Sequence, residues 1–224
     1  MSRGKVLVTG GGGFIGSNLV RELVARNYSV TVLDNFSTGK KENLADCKKK
    51  VKVIEADISN GISGIRSHID VIFHLAAIPS VPRSVEDPVS TSKVNMAGTV
   101  NVLKFAYDRK VSRLLFASSS SVYGDPPVKL NAESLARSPL SPYSASKMGG
   151  VIFCGTFDRL GTSTVCIRLF NVYGPFQDPN SMYSAVIPRF IHQAMRGEPF
   201  TIFGDGTQSR DFTFVNDVVK CMIM

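Results

Sequence analysis

Over the first 170 residues, short apolar runs alternate with amphipathic stretches, and their lengths separate strands from helices. Residues 5–9, 29–33, 51–56 and 70–73 each place aliphatic or β-branched side chains in close succession and predict buried parallel strands. Between the first two, Phe14, Leu19, Val20, Leu23 and Val24 recur at helical spacing. The same period returns in Val94, Val100, Leu103 and Phe105 and predicts a helix over roughly 89–109. A fifth strand ends in the serines 118–121, and the alternation continues to about Leu169. An α/β fold is predicted, with a doubly wound parallel sheet covered by helices on both faces. The expected division is a nucleotide-binding domain over 1–170 and the start of a smaller, incomplete domain over 171–224.

The turn after the first strand carries the first chemical signal. Gly10, Gly13 and Gly16, each separated by two residues, sit between a strand and a helix, as a dinucleotide site requires. Gly10 permits the tight turn, Gly13 lets the backbone approach a pyrophosphate, and Gly16 lets helix and strand pack closely. The helix opening at Phe14 and Ile15 then offers N–H groups and a positive dipole end to the phosphates. Asp34 closes the second strand, where a carboxylate accepts from adenosine ribose hydroxyls and repels a 2′-phosphate. It predicts NAD in preference to NADP, although Lys40 and Lys41 follow closely. Asp57 and Ile58 end the third strand near the expected adenine edge. The fourth runs into His74, Leu75, Ala76 and Ala77, whose small residues allow a cofactor to come close.

Tyr143 and Lys147 lie four residues apart after Ser141 and Pro142, a cap and a first-turn proline that together start a helix. On that helix the two side chains share one face. A nearby ammonium group favours a phenolate and draws its pKa toward neutrality, which makes the pair a candidate general acid/base for an alcohol oxidation or carbonyl reduction.

Composition changes this picture little. The 224 residues are 43% hydrophobic with a formal charge of +8. The densest basic run, Lys48 to Lys50 with Lys52, reads as a solvated loop, so nucleic acid is not implied. Cys47, Cys154, Cys166 and Cys221 lack metal or disulfide spacing, and His68, His74 and His192 do not cluster, so no metal site is expected. No secretory pattern opens the chain and no apolar run is long enough to span a bilayer; a reducing cytoplasm fits.

Together these residues resemble the extended short-chain dehydrogenase/reductase family, specifically the UDP-hexose 4-epimerases. The resemblance runs through Asp34-Asn35-Phe36-Ser37, His74-Leu75-Ala76-Ala77, Ser80-Val81-Pro82-Arg83-Ser84 and the serine run into Val122-Tyr123-Gly124. It continues through Tyr143 to Lys147, Arg168-Leu169-Phe170-Asn171-Val172-Tyr173-Gly174-Pro175 and Gly204 to Phe212. It implies an NAD-dependent isomerase acting on a UDP-sugar. Ser119 is the implied catalytic hydroxyl, with Ser120 close behind. Asn35 and Ser37 are implied to contact the cofactor, Lys147 to hold the nicotinamide ribose, and Asn95 to anchor a water or backbone group behind the site. Arg83, Asn171, Val186, Phe203 and Arg210 are the implied substrate residues, Asn171 and Arg210 at the diphosphate and Phe203 in the uracil wall. The stretch from Gln177 to Pro188 resembles the branch that includes enzymes of N-acetylated sugars. A homodimer is the implied assembly.

Rival readings share the fold. A sugar-nucleotide dehydratase needs acidic groups beside the catalytic hydroxyl, where Ser120 and Ser121 stand. UDP-glucuronate epimerases and decarboxylases are nearer, and a non-catalytic NAD-binding fragment is the alternative of another class. Residues 217–224 read as a helix whose apolar face needs cover. Family members continue past this point, so a fragment is expected, with exposed apolar surface around Val215, Val219 and Met222.

Overall fold

The computed structural model describes residues 2–126, 132–178, 186–202 and 204–224. Six parallel strands form the main sheet: β1 (Lys5–Thr9), β2 (Ser29–Asp34), β3 (Val51–Glu55), β4 (Val71–His74), β5 (Arg113–Ser119) and β6 (Thr164–Leu169). Their order is β3-β2-β1-β4-β5-β6. The direction of winding reverses between β1 and β4, and such sheets open a ligand crevice at the carboxyl ends of the strands there. The register pairs Thr9 with His74, so the turns leaving β1 and β4 emerge side by side. Central strands are covered on both faces and read as apolar runs: Val6, Leu7 and Val8 of β1 are all buried. At the edge, β3 leaves Lys52 and Val53 exposed.

Helix α1 (Phe14–Ala25) starts at Gly13 and packs Leu19, Val20 and Leu23 on one face of the sheet. The predicted helix over 89–109 is present in three pieces, α3 (Pro88–Ser92), a π-turn (Lys93–Ala97) and α4 (Gly98–Asp108). The wider turn places Asn95 in the interior, and such turns recur at functional sites. Short α2 (Val81–Glu86) precedes it. The long α5 (Pro142–Arg159) begins as its sequence predicts, with Ser141 and Ser144 in a reciprocal capping box and Pro142 in the first turn. Helices α4 and α5 cover the opposite face of the sheet, where Val102, Leu103, Ala106 and Cys154 pack with Leu114 and Phe116.

After β6 a two-stranded parallel ladder joins β7 (Val172–Tyr173) and β8 (Thr213–Phe214), with α6 (Val186–Met195) between them in the chain. Helix α7 (Val215–Ile223) then returns to the first half of the molecule and lies beside α1. The expected apolar exposure around Val215, Val219 and Met222 is therefore overturned. These residues are only 0%, 4% and 4% exposed, because α7 lays its apolar face into the cluster built by α1, β1 and β2.

Candidate active site

One cleft of about 1020 Å³ runs along the carboxyl edge of the sheet. Its floor is the turn after β1. Gly10 adopts φ 74°, and a side chain on Gly16 would drive a carbon to 2.1 Å from the Gly10 carbonyl oxygen. Gly13 borders the cleft, and a side chain there would meet only the Gly10 oxygen, at 3.3 Å. No side chain caps the start of α1 and no acidic residue lies in its first turn, which leaves its N–H groups and positive end to an anion. Phe14 and Ile15 line the cleft at this point. The loop after β2 buttresses the glycines. Gly39 packs on Gly12 and Gly13, while the Lys40 amide and the Asn43 side chain both donate to the Gly12 carbonyl, at 3.0 and 2.9 Å. Thr38, Gly39 and Asn43 carry no motif of their own, and nothing in their spacing marks them.

Asp34 is buried at the end of β2. Its carboxylate accepts the Gly12 and Phe36 amides, both at 2.8 Å. Burial pushes its pKa up, and the two backbone hydrogen bonds oppose that shift. Asn35 donates to Asp57 at 3.0 Å and accepts from Ser37, so these three cleft residues form one chain with Ile58 beside them. Lys40 and Lys41 are each paired with a carboxylate, Asp178 at 2.8 Å and Glu55 at 2.6 Å. Both pairs are solvent-exposed, and Asp178 borders the cleft. Leu75, Ala76 and Ala77, leaving β4, form the facing wall.

The hydroxyl-bearing end of β5 meets α5 across this cleft. Ser119, Ser120, Tyr143 and Lys147 all border it. Ser119 Oγ accepts from the Ser121 amide and hydroxyl, at 3.2 and 2.9 Å, leaving its own proton to favour the ionised form of the Tyr143 phenol. Ser121 is thus a positioning group that the sequence did not single out. Ser118 Oγ, buried beside them, has no partner among the described residues and faces the cleft lining.

Lys147 differs from the expectation. Its ammonium donates to the Ala117 carbonyl at 2.9 Å, and complete burial lowers its pKa to about 8. The Tyr143 phenol is raised by its own burial, opposed only by the Ser119 hydrogen bond. The predicted draw of the ammonium on the phenol is not what governs this state; desolvation of both groups is.

Behind the cleft runs a buried polar chain. Thr99 Oγ1 donates to the Asn95 carbonyl at 2.6 Å, so it accepts from His74 Nε2 at 2.9 Å. That fixes the tautomer: His74 Nδ1 accepts from Thr9 Oγ1 at 2.7 Å. Burial holds the imidazole neutral, with its pKa near 3. Asn95 does not line the cleft; it sits behind it, accepting the Ile78 amide at 2.8 Å and donating to the Ile78 carbonyl and Ser146. Expected among the residues that hold the cofactor, it bonds the Ile78 backbone behind the cleft instead. His74 was read only as part of a close-approach segment; its role as a strut between β1 and α4 is a tertiary fact.

Among the implied substrate residues, Arg83 and Asn171 border the cleft. Asn171 holds φ 24° and donates to the Asp211 carbonyl at 2.9 Å. Arg210 and Val186 do not border it. Arg210 is exposed and donates to the Ser209 carbonyl at 2.7 Å, and Val186 opens α6, none of whose residues is buried. Phe203 and residues 179–185 lie outside the described residues. Among the described residues no cluster of metal-ligating side chains occurs, and no helix is long and apolar enough to cross a membrane.

A putative UDP-glucose 4-epimerase of Methanocaldococcus jannaschii is 39% identical over 224 residues, spanning 98% of this chain and 72% of that relative. A UDP-N-acetyl-alpha-D-glucosaminuronate decarboxylase of Bacillus cytotoxicus is 37% identical, over 98% of this chain and 70% of its own. The structure of the UDP-N-acetylglucosamine 4-epimerase from Methanobrevibacter ruminantium M1, in complex with UDP-N-acetylmuramic acid, superposes with a TM-score of 0.94. It is 39% identical, over 100% of this chain and 73% of that one. The NAD dependent epimerase/dehydratase family matches over residues 6–224, and the chain belongs to that family.

Proposed function

We propose that this NAD-dependent enzyme inverts C4 of a UDP-hexose, UDP-glucose/UDP-galactose or their N-acetyl forms. The observation that carries the reading is the joint placement of Ser119, Tyr143 and Lys147 in one cleft with the Gly10–Gly16 turn. Gly13 and the open start of α1 take the pyrophosphate, Asp34 the adenosine ribose, and Lys147 the nicotinamide ribose. Bound there, NAD supplies acceptance of the C4 hydride and its return to the opposite face of the 4-keto sugar. Once ionised, which the Ser119 hydroxyl favours, the Tyr143 oxygen takes the proton of the sugar's 4-hydroxyl and later gives it back. Ser119, fixed by its two hydrogen bonds from Ser121, orients that hydroxyl and relays its proton. Asn171 holds the diphosphate end. Arg210 reaches it only if the 204–212 segment moves from its present place. Residues 171–214 would then form the sugar side, while α7 braces α1. Ser120 and Ser121 beside Ser119 disfavour elimination, which calls for an acid there.

Arg83, a cation in the lining of the same cleft, favours a second reading in which the sugar carries a carboxylate, as in UDP-glucuronate. Incubation with UDP-glucose, UDP-N-acetylglucosamine and UDP-glucuronate, with products resolved by NMR, tests both. Inversion of a neutral sugar supports the first reading, and exclusive turnover of the acid replaces it with the second. A cytoplasmic homodimer belongs to the same proposal, and sedimentation at several concentrations checks the dimer.

A further inference from the structure

The start of a helix leaves backbone donors that its own turns cannot satisfy, and α5 places these unevenly. Pro142 has no N–H to place. The Ser144 amide donates to Ser141 Oγ at 3.1 Å and the Ala145 amide to the Ser141 carbonyl at 2.8 Å, both inside the capping turn. The Tyr143 amide instead leaves the helix and donates to Ser84 Oγ on α2 at 3.0 Å. Ser84 is fully buried, 59 positions back in the chain, and its own proton goes to the Val81 carbonyl at 2.6 Å. Its oxygen is thereby fixed as an acceptor facing α5. Ser84 closes the stretch Ser80 to Ser84 that carries part of the resemblance, yet Arg83 is the only member with an implied role.

The carbonyl of Tyr143 is held as well. It accepts from Ser146 Oγ at 2.7 Å, Ser146 accepts from Asn95 at 3.1 Å, and Asn95 grips the amide and carbonyl of Ile78. Ile78 and α2 lie on one stretch after β4, which borders the cleft at Ile78, Ser80, Val81 and Arg83. Both ends of the Tyr143 backbone are therefore tied to a wall of the cleft. Ser141 and Ser144 cap α5 without Ser84, so the helix does not need that bond to form. What the bond adds is the position of the first turn against the cleft wall. Lys147 lies one turn deeper and is held separately, by the Ala117 carbonyl.

We propose that Ser84 is a positioning residue for Tyr143: by holding the Tyr143 amide, it sets where the phenol oxygen meets the substrate hydroxyl. Ser84 is not part of the cleft lining, so it acts only through the backbone of Tyr143. A misplacement of about 1 Å at the reacting atoms can cost ~10²-fold in rate, enough for one buried hydroxyl to matter. The inference rests on the reading of Tyr143 as the acid/base group.

The experiment places Ser84→Ala in the whole chain, alone and combined with Tyr143→Phe. It measures turnover of whichever of UDP-glucose, UDP-N-acetylglucosamine and UDP-glucuronate reacts, with NAD affinity by calorimetry and thermal melts. Ser84→Ala should lower kcat about tenfold or more while NAD affinity stays within about twofold of native. In the Tyr143→Phe background the same substitution should change the residual rate by less than about twofold, because the oxygen that Ser84 positions is already gone. A merely structural role would lower both backgrounds alike. Ser84→Cys keeps the volume with a weaker acceptor, so its kcat should fall between the native and alanine values; it carries the test if the alanine variant does not fold. Native kcat in the Ser84 variants, an equal loss with and without the Tyr143 hydroxyl, or NAD affinity falling as far as kcat each overturns the proposal. If Tyr143→Phe alone keeps its rate, the base assignment fails and this inference with it. If only the Ser84 variants keep theirs, the inference fails alone.

Discussion

Alanine at Gly16 and at Gly13 should fail for different reasons, and the structure supplies the magnitudes. A methyl on Gly16 would sit 2.1 Å from the Gly10 oxygen, 2.8 Å from the Gly11 Cα and 2.9 Å from the Gly10 carbonyl carbon. All three are backbone atoms, so relief requires α1 to lift from the turn after β1. Overpacking of this kind costs about 1–3 kcal/mol or more, which for a chain of this size lowers Tm by roughly 3–10 °C. Gly13 has φ −75°, which alanine accepts, and its methyl would meet only the Gly10 oxygen at 3.3 Å. Stability should change by no more than about 0.5–1 kcal/mol. That methyl would instead occupy the space through which a pyrophosphate approaches α1, so NAD affinity should fall about tenfold or more, ~1.4 kcal/mol. Thermal melts without NAD, paired with calorimetric titration of NAD, separate the two effects. The reasoning is refuted if Gly13→Ala melts as low as Gly16→Ala while keeping native NAD affinity.

Other perturbations follow from the same geometry. Asp34→Ala should narrow the preference for NAD over NADP and, by stripping the Gly12 and Phe36 amides of their acceptor, cost about 1–3 kcal/mol; unchanged cofactor ratios would remove Asp34 from discrimination. Thr9→Val leaves His74 Nδ1 without its donor and should cost about 1–3 kcal/mol in urea denaturation, whereas a neutral effect would break the assigned tautomer chain. Lys147 has a folded pKa near 8 against an ordinary 10.5. Between these values the unfolded chain binds a proton that the native state has released, so stability rises with pH across that window and is lost as pH falls through about 8. The NAD-free protein, measured relative to Lys147→Met, should gain stability from about pH 8 to 10.5, and a flat difference would contradict the burial of Lys147.

Strands β1, β2, β4 and β5 were legible because central parallel strands, buried on both faces, read as apolar runs, and edge strand β3 was legible from Val51, Val53 and Ile54 in close succession. The start of α5 was legible in Ser141 and Pro142, whose chemistry is local. What escaped the sequence depends on distant partners. The apolar face of α7 is plain in its residues, but its cover by α1 follows from where the chain returns, and no periodicity encodes that. The desolvation that lowers Lys147 reflects the packing of α5 on Phe116 and Ala117. The buttress of Gly39 and Asn43 on Gly12, and the strut from Thr9 through His74 to Thr99, likewise join residues 25 or more positions apart. Arg210 fits the motif pattern, yet the structure leaves it exposed on Ser209, because a local sequence match does not specify where a surface segment lies.

The central claim is that the Tyr143 oxygen carries the proton of a sugar hydroxyl beside bound NAD, and Tyr143→Phe tests it most directly. The ring still packs in the same place, so NAD affinity by calorimetry should remain near native. Conversion of the UDP-sugar should fall about 10²–10⁴-fold, the usual contribution of a general acid/base group. Near-native epimerisation by Tyr143→Phe, with the cofactor bound, would contradict the account.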